Sequence, residues 1–187
     1  AIGDFAETWL GIKNMEYKNY HKTSYLMSAR NHSDQPATLH SVEFKPMNYG
    51  TVVYSKTGMA FYMLMNYLGE EKFNKIMRDF YEEWKYKHPY PEDLENAFKE
   101  NTSEDLDWFF DTALGSDKKA DYKIKKYKNN KLLVKNKANG AMPFPVTGLQ
   151  DGNETYTKWY SGFEGKKWID LPGKEVDKLY IDYYRNT

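Results

Sequence analysis

The chain has 187 residues, 27 basic and 27 acidic, with 17 tyrosines, four histidines and no cysteine. That length builds one or two domains with a real core, and the missing cysteine excludes disulfide scaffolds, thiolate zinc ribbons and thiol nucleophiles. Net neutrality argues against a dedicated nucleic-acid binder, and an aromatic content of 17% argues against disorder.

The hydrophobic period changes once along the chain, which predicts an α+β protein. Residues 1–117 read as helical, and residues 118–187 as strands and turns. Met15–Arg30 is predicted helical and His32–Asn48, with Pro36 and Pro46, a loop. Thr51–Leu68 is apolar nearly all round and belongs in the centre of a bundle. Gly69 then separates it from Glu70–Lys87, where Phe73, Ile76, Met77, Phe80, Tyr81 and Trp84 form one stripe at helical spacing. Pro89 and Pro91 break the chain, and Pro91–Lys99 makes a short helix with proline at its first position. Ser103 is the expected cap of a last helix that holds Trp108, Phe109 and Phe110 and stops at Gly115. Six short strands follow: 121–127, Lys131–Asn136, Phe144–Leu149, Thr155–Tyr160, Lys167–Leu171 and Lys178–Tyr184, with Asn139-Gly140 as a hairpin signal. Strands at this spacing predict a small β-sandwich of the immunoglobulin or fibronectin type. The expected domains are thus 1–117 and 118–187.

Chemistry is sparse. His21, His32, His40 and His88 lack the i, i+4 pairing of a zinc helix and read as surface or loop histidines. No nucleophile elbow, phosphate loop or dinucleotide fingerprint occurs. Nine lysines lie between 118 and 137 without an arginine, the residue suited to bidentate phosphate contact, so they read as the outer face and guarded edges of strands. The segment Asn48-Tyr-Gly-Thr-Val-Val-Tyr-Ser-Lys-Thr-Gly58 opens the apolar helix with Tyr49 and Tyr54 five residues apart. Aromatic packing accounts for them; a phenol at a helix N-terminus also suits donation to developing negative charge.

Four segments carry a resemblance to a known family. Tyr54-Ser-Lys-Thr-Gly58, Tyr67-Leu-Gly-Glu-Glu-Lys-Phe73, Met77-Arg-Asp-Phe-Tyr81 and Pro91-Glu-Asp-Leu94 resemble, in order and spacing over residues 45–115, the gluzincin zinc metallopeptidases of the aminopeptidase N type, bacterial members above all. The resemblance implies a thermolysin-like catalytic domain and peptide-bond hydrolysis. It makes Tyr54, the tyrosine of the family's Y-x-K-G motif, the catalytic donor to the tetrahedral oxyanion, and Tyr49 a substrate-binding residue. The motif is altered here, with Ser55 after the tyrosine and glycine one place late at Gly58. The family's HExxH segment and its third zinc ligand are absent from the 187 residues. The resemblance therefore implies a C-terminal fragment that binds no zinc itself and is inactive alone. The zinc, the peptide substrate and the upstream half of the catalytic domain belong to a longer parent. Substrate preference, oligomeric state and localisation are not legible; the absence of cysteine fits a periplasmic or exported bacterial protein as well as a cytosolic one.

A different class of function is open beside this one. A helical and β-sandwich module could bind peptides or glycans without catalysis, with Trp159, Tyr160, Phe163 and Trp168 as a stacking platform. The neutrality of the chain is itself a cancellation. Residues 1–117 carry 12 basic and 19 acidic side chains, and residues 118–187 carry 15 and 8.

Overall fold

A computed structural model describes residues 17–31 and 33–183. The fold is α+β, with helices followed by two small antiparallel sheets. Helix α1 is Tyr17–Arg30; the rest of the predicted first helix lies outside the described residues. The loop after it holds one 3-10 turn, Ser41–Glu43. Helical backbone resumes at Asn48–Gly50, opens into wide π-type turns over Thr51–Lys56, and continues as α2, Thr57–Leu68. Gly69, at φ 87°, permits the left-handed joint that reverses the chain into α3, Glu70–Trp84. This helix ends three residues before the predicted Lys87, because Lys85 is extended and Tyr86 has φ 66°. On its predicted apolar stripe Ile76 is buried, while Tyr81 stays exposed. Helix α4, Pro91–Asn101, begins with its proline at the first position, and the Asp93 carboxylate accepts the Tyr90 N–H at 2.7 Å.

Ser103 does not cap the next helix. The segment beyond α4 folds by local turns, with Thr102 Oγ1 accepting the Glu104 N–H and Asp105 Oδ1 the Asp107 N–H. Only then does a second π-type stretch, Trp108–Leu114, begin.

The strands are β1, Tyr122–Lys128; β2, Lys131–Asn136; β3, Phe144–Gln150; β4, Asn153–Tyr160; β5, Lys166–Asp170; and β6, Lys178–Ile181. They form two three-stranded sheets of order β1-β2-β5 and β4-β3-β6. Asn129 and Asn130, at φ 50° and 56°, close the β1–β2 hairpin, and Asp151-Gly152, at 51° and 80°, closes β3–β4. Both have the two positive φ values that match the strand twist. Asn139-Gly140 is not a hairpin, since β2 and β3 lie in different sheets. It is the corner where the chain changes sheet, held by Gly140 N–H to Lys119 O at 2.7 Å. Between the sheets lie Leu132, Val134, Phe144, Val146, Ile169 and Leu171. The imperfect alternation of the first strand has a cause: the β1–β2 register shifts between Ile124 and Lys126, so Lys125 is an extra, bulged residue.

The chain divides into two compact units between Tyr62 and Met63. Within the second unit an aromatic chain joins helices to strands. Tyr67 packs edge-on against Trp108 (5.5 Å between centroids) and against Trp159 of β4 (5.4 Å), and its hydroxyl donates to Glu104 Oε2 at 3.0 Å. Burial first, then the Glu104 carboxylate, push the Tyr67 phenol up to about 12. Burial does the same to Tyr160, also to about 12. The linkage sign follows: phenols that ionise near 10 in the unfolded chain and near 12 in the folded one favour folding below pH 10, and that contribution is lost as pH rises through 12. The melting temperature should therefore fall across this window, with phenolate absorbance appearing late. Tyr67→Phe should flatten part of the fall, and a slope identical to that of the unchanged chain would refute the assignment.

Among the described residues no helix is long and apolar enough to cross a membrane.

Candidate active site

Tyr49 and Tyr54 are brought together by an irregularity in the helix. Five residues apart in a regular α-helix, two side chains diverge by about 140° at 3.6 residues per turn. The stretch Thr51–Lys56 is wound wider, and the Thr57 N–H reaches back to Val52 O. Thr57 Oγ1 donates to the same carbonyl at 3.2 Å, so this acceptor serves both the backbone and a side chain of the residue that ends the wide turns. The β-branched run Thr51, Val52 and Val53 is a poor α-helix former, which lowers the cost of leaving ideal geometry. The result is an edge-to-face pair, Tyr49 and Tyr54, with centroids 6.4 Å apart, and Phe44 stacks edge-on to Tyr49 at 5.4 Å. Both tyrosines face outward, Tyr54 at 63% and Tyr49 at 43% exposure. That exposure leaves the Tyr54 hydroxyl open to an incoming group.

Beneath them the same turn points a lysine inward. The Lys56 side chain is 4% exposed and sits 3.3 Å from Asp34 Oδ1, itself 1% exposed. Lys56 Nζ also donates to Gln35 O at 2.8 Å. Asp34 takes the Gln35 N–H at 2.9 Å and the Tyr25 hydroxyl at 3.4 Å. Burial first, then the Asp34 charge, push the Tyr25 phenol well up, so it stays a donor. Asn48, buried at the start of the helical run, donates to Ser33 O and Gln35 Oε1, each at 2.7 Å. His21 Nδ1 lies 2.9 Å from Ser55 Oγ. These bonds tie α1, the 33–35 loop and the wide turn into one polar cluster.

The sequence named His21, Asn48, Ser55 and Lys56 without assigning them to a polar cluster, and it did not single out Tyr25, Ser33, Asp34 or Gln35. The signal for it was Lys56 itself, since a lysine within a helix destined for burial requires a carboxylate partner. His21 is half-buried and engaged, not a surface histidine, whereas His40 and His88 are exposed; His32 lies outside the described residues. The proposed aromatic platform does not form. Trp159 packs on Tyr67, Tyr160 and Phe163 pack on Phe144 in the sandwich core, and Trp168 stands apart on an outer face.

Zinc fits nowhere in this cluster. Among the described residues no three or more His, Asp or Glu side chains are grouped to hold a metal, and Asp34 is engaged by Lys56 and Tyr25. What the site offers is an exposed phenol at the start of a helix, seated on a buried ion pair.

Comparison with known proteins places the chain in a class. The model of the peptidase family M1 domain matches residues 2–112, and the chain belongs to that family. A stretch of 75 residues is 32% identical to aminopeptidase N of Lactococcus lactis subsp. lactis; it covers 40% of this chain and 9% of that protein. The chain thus spans a small part of the length of the relative it matches.

Proposed function

We propose that this chain is the C-terminal part of the catalytic domain of a zinc aminopeptidase, joined to a β domain, with Tyr54 as the oxyanion donor and Tyr49 lining the substrate pocket. The observation that carries the proposal is the exposed Tyr49–Tyr54 pair, produced by the wide helical turn inside the stretch the family model matches. When water adds to a peptide carbonyl, the oxygen gains negative charge. A preorganised phenol O–H then gains more interaction with the transition state than with the substrate. Tyr54 has the exposure for that role, and the Lys56–Asp34 pair holds its turn in place. Tyr49, in ring contact with it, would bound the space beside the reacting group. Residues 1–117 would belong to the catalytic domain and 118–187 to the β domain.

The zinc of such an enzyme, its HExxH segment and its third ligand would be contributed by a parental segment upstream, as would recognition of the free amino terminus of the peptide. No step assigned to this chain passes through the metal. The 187-residue chain alone should neither bind zinc tightly nor cleave aminoacyl reporter substrates. Calorimetric titration with zinc should give no saturable heat; a stoichiometric tight site would overturn the fragment reading. Tyr54→Phe in the full-length parent tests the role of the phenol.

A further inference from the structure

We propose that the outer face of the β1-β2-β5 sheet docks on an anionic lipid surface. Side chains alternate across a sheet, and with Leu132, Val134 and Ile169 buried, their sequence neighbours form the opposite face. The pairing register sets that face out in three rows. Lys123, Lys135 and Lys166 lie directly across the three strands, followed by Lys126, Leu133 and Trp168, then Lys128, Lys131 and Asp170. The bulged Lys125 joins them, its ammonium pKa lowered by partial desolvation and by Lys123, Lys135, Lys137 and Lys166 around it. Asp170 is already engaged by Lys131 at 2.9 Å and Asp121 by Lys137 at 3.2 Å. No carboxylate is paired with Lys123, Lys125, Lys126, Lys128, Lys135 or Lys166 among the described residues.

Edge protection explains part of this pattern and fails for the rest. Lysines on β1 and β5 guard the sheet's two edges. Lys135 is on the central strand, directly between two other lysines, where like charges opposite one another destabilise a sheet. Trp168, 45% exposed beside Leu133, is the reverse of a guard. A surface that gathers repelling charge around an open indole is complementary to something negative outside and less polar within. An anionic bilayer is both: each lysine near its surface gains a non-directional attraction, and tryptophan settles at the headgroup level. A nucleic acid is the poorer match. The stretch 118–184 has no arginine for phosphate forks, and the face is a sheet surface instead of a groove that tracks a strand.

The test is flotation of the 187-residue chain with vesicles of phosphatidylglycerol mixed with phosphatidylcholine, and with phosphatidylcholine alone. Binding to the first, absence from the second and loss on raising salt are expected. Brominated lipid should quench the emission of the unchanged chain more than that of Trp168→Phe. Lys135→Glu combined with Lys166→Glu should weaken binding about tenfold or more, whereas Lys72→Glu, an exposed lysine of α3, should not. These surface changes leave the core intact, and an unchanged melting temperature confirms it. Failure to bind anionic vesicles at low salt, or binding indifferent to the double reversal, would overturn the proposal. So would retention of single-stranded oligonucleotides in place of vesicles.

Discussion

Tyr54→Phe in the full-length peptidase should lower kcat about 10²- to 10³-fold, the loss that follows removal of one oxyanion donor, and should leave KM nearly unchanged. The two constants separate because the hydroxyl would meet its full partner only when the carbonyl has become tetrahedral; the substrate oxygen carries little charge to hold. Phenylalanine keeps the ring that meets Tyr49 edge-on at 6.4 Å, so the change reports on one O–H group. At 63% exposure that group contributes little to folding, and the melting temperature and zinc content should match those of the unchanged enzyme. Tyr49→Phe should instead raise KM or shift substrate preference, with kcat within about tenfold. A Tyr54→Phe enzyme with full kcat would remove the catalytic role and leave the pair as surface packing.

Much of the fold was legible because particular residues state it. The stripe from Phe73 to Trp84 and Gly69 before it predict α3 and the left-handed joint, and both are present. The change from helical to alternating period after residue 117 marks where the strands begin. What escaped the sequence depends on partners distant along the chain. Asn139-Gly140 has the composition of a hairpin, but the strands on either side pair with β1, β5, β4 and β6, so the same dipeptide serves as a corner. A serine before an acidic run resembles a cap, but Ser103 is passed over for turns made by Thr102 and Asp105. Asp34 sits in a proline-bearing loop that carries no periodic signal, so nothing local announces its burial against Lys56, 22 positions away. Tyr49 and Tyr54 were conspicuous in the sequence; their adjacency was not, because it requires the wide turn between them.

That turn rests on Lys56, and Lys56→Met should be the most destabilising single change in the first unit. Removing one member of a buried ion pair leaves the other charge desolvated and uncompensated, at a cost of about 3–5 kcal/mol. Here the group left behind is Asp34, 1% exposed, which keeps the Tyr25 hydroxyl and the Gln35 N–H but loses the Lys56 ammonium 3.3 Å away. Gln35 O would lose its donor as well. Asp34→Leu should cost a similar amount for the converse reason, since it removes the carboxylate 3.3 Å from a buried ammonium. The double variant distinguishes charge from packing. With both charges gone the desolvation penalty disappears, and Asp34→Leu with Lys56→Met should recover well over half of either single loss, a coupling of about 1.5–3 kcal/mol. Urea unfolding followed by circular dichroism measures all three, and simple additivity would show that the two side chains act independently. Under the role proposed for Tyr54, the same pair would link stability to catalysis: Lys56 is two residues beyond Tyr54 in the wide turn, so loosening it would misplace the phenol before the chain unfolds. In the parent enzyme the double variant should therefore regain stability without regaining full kcat, since methionine and leucine fill the space but do not hold the turn by charge and by the hydrogen bond to Gln35 O.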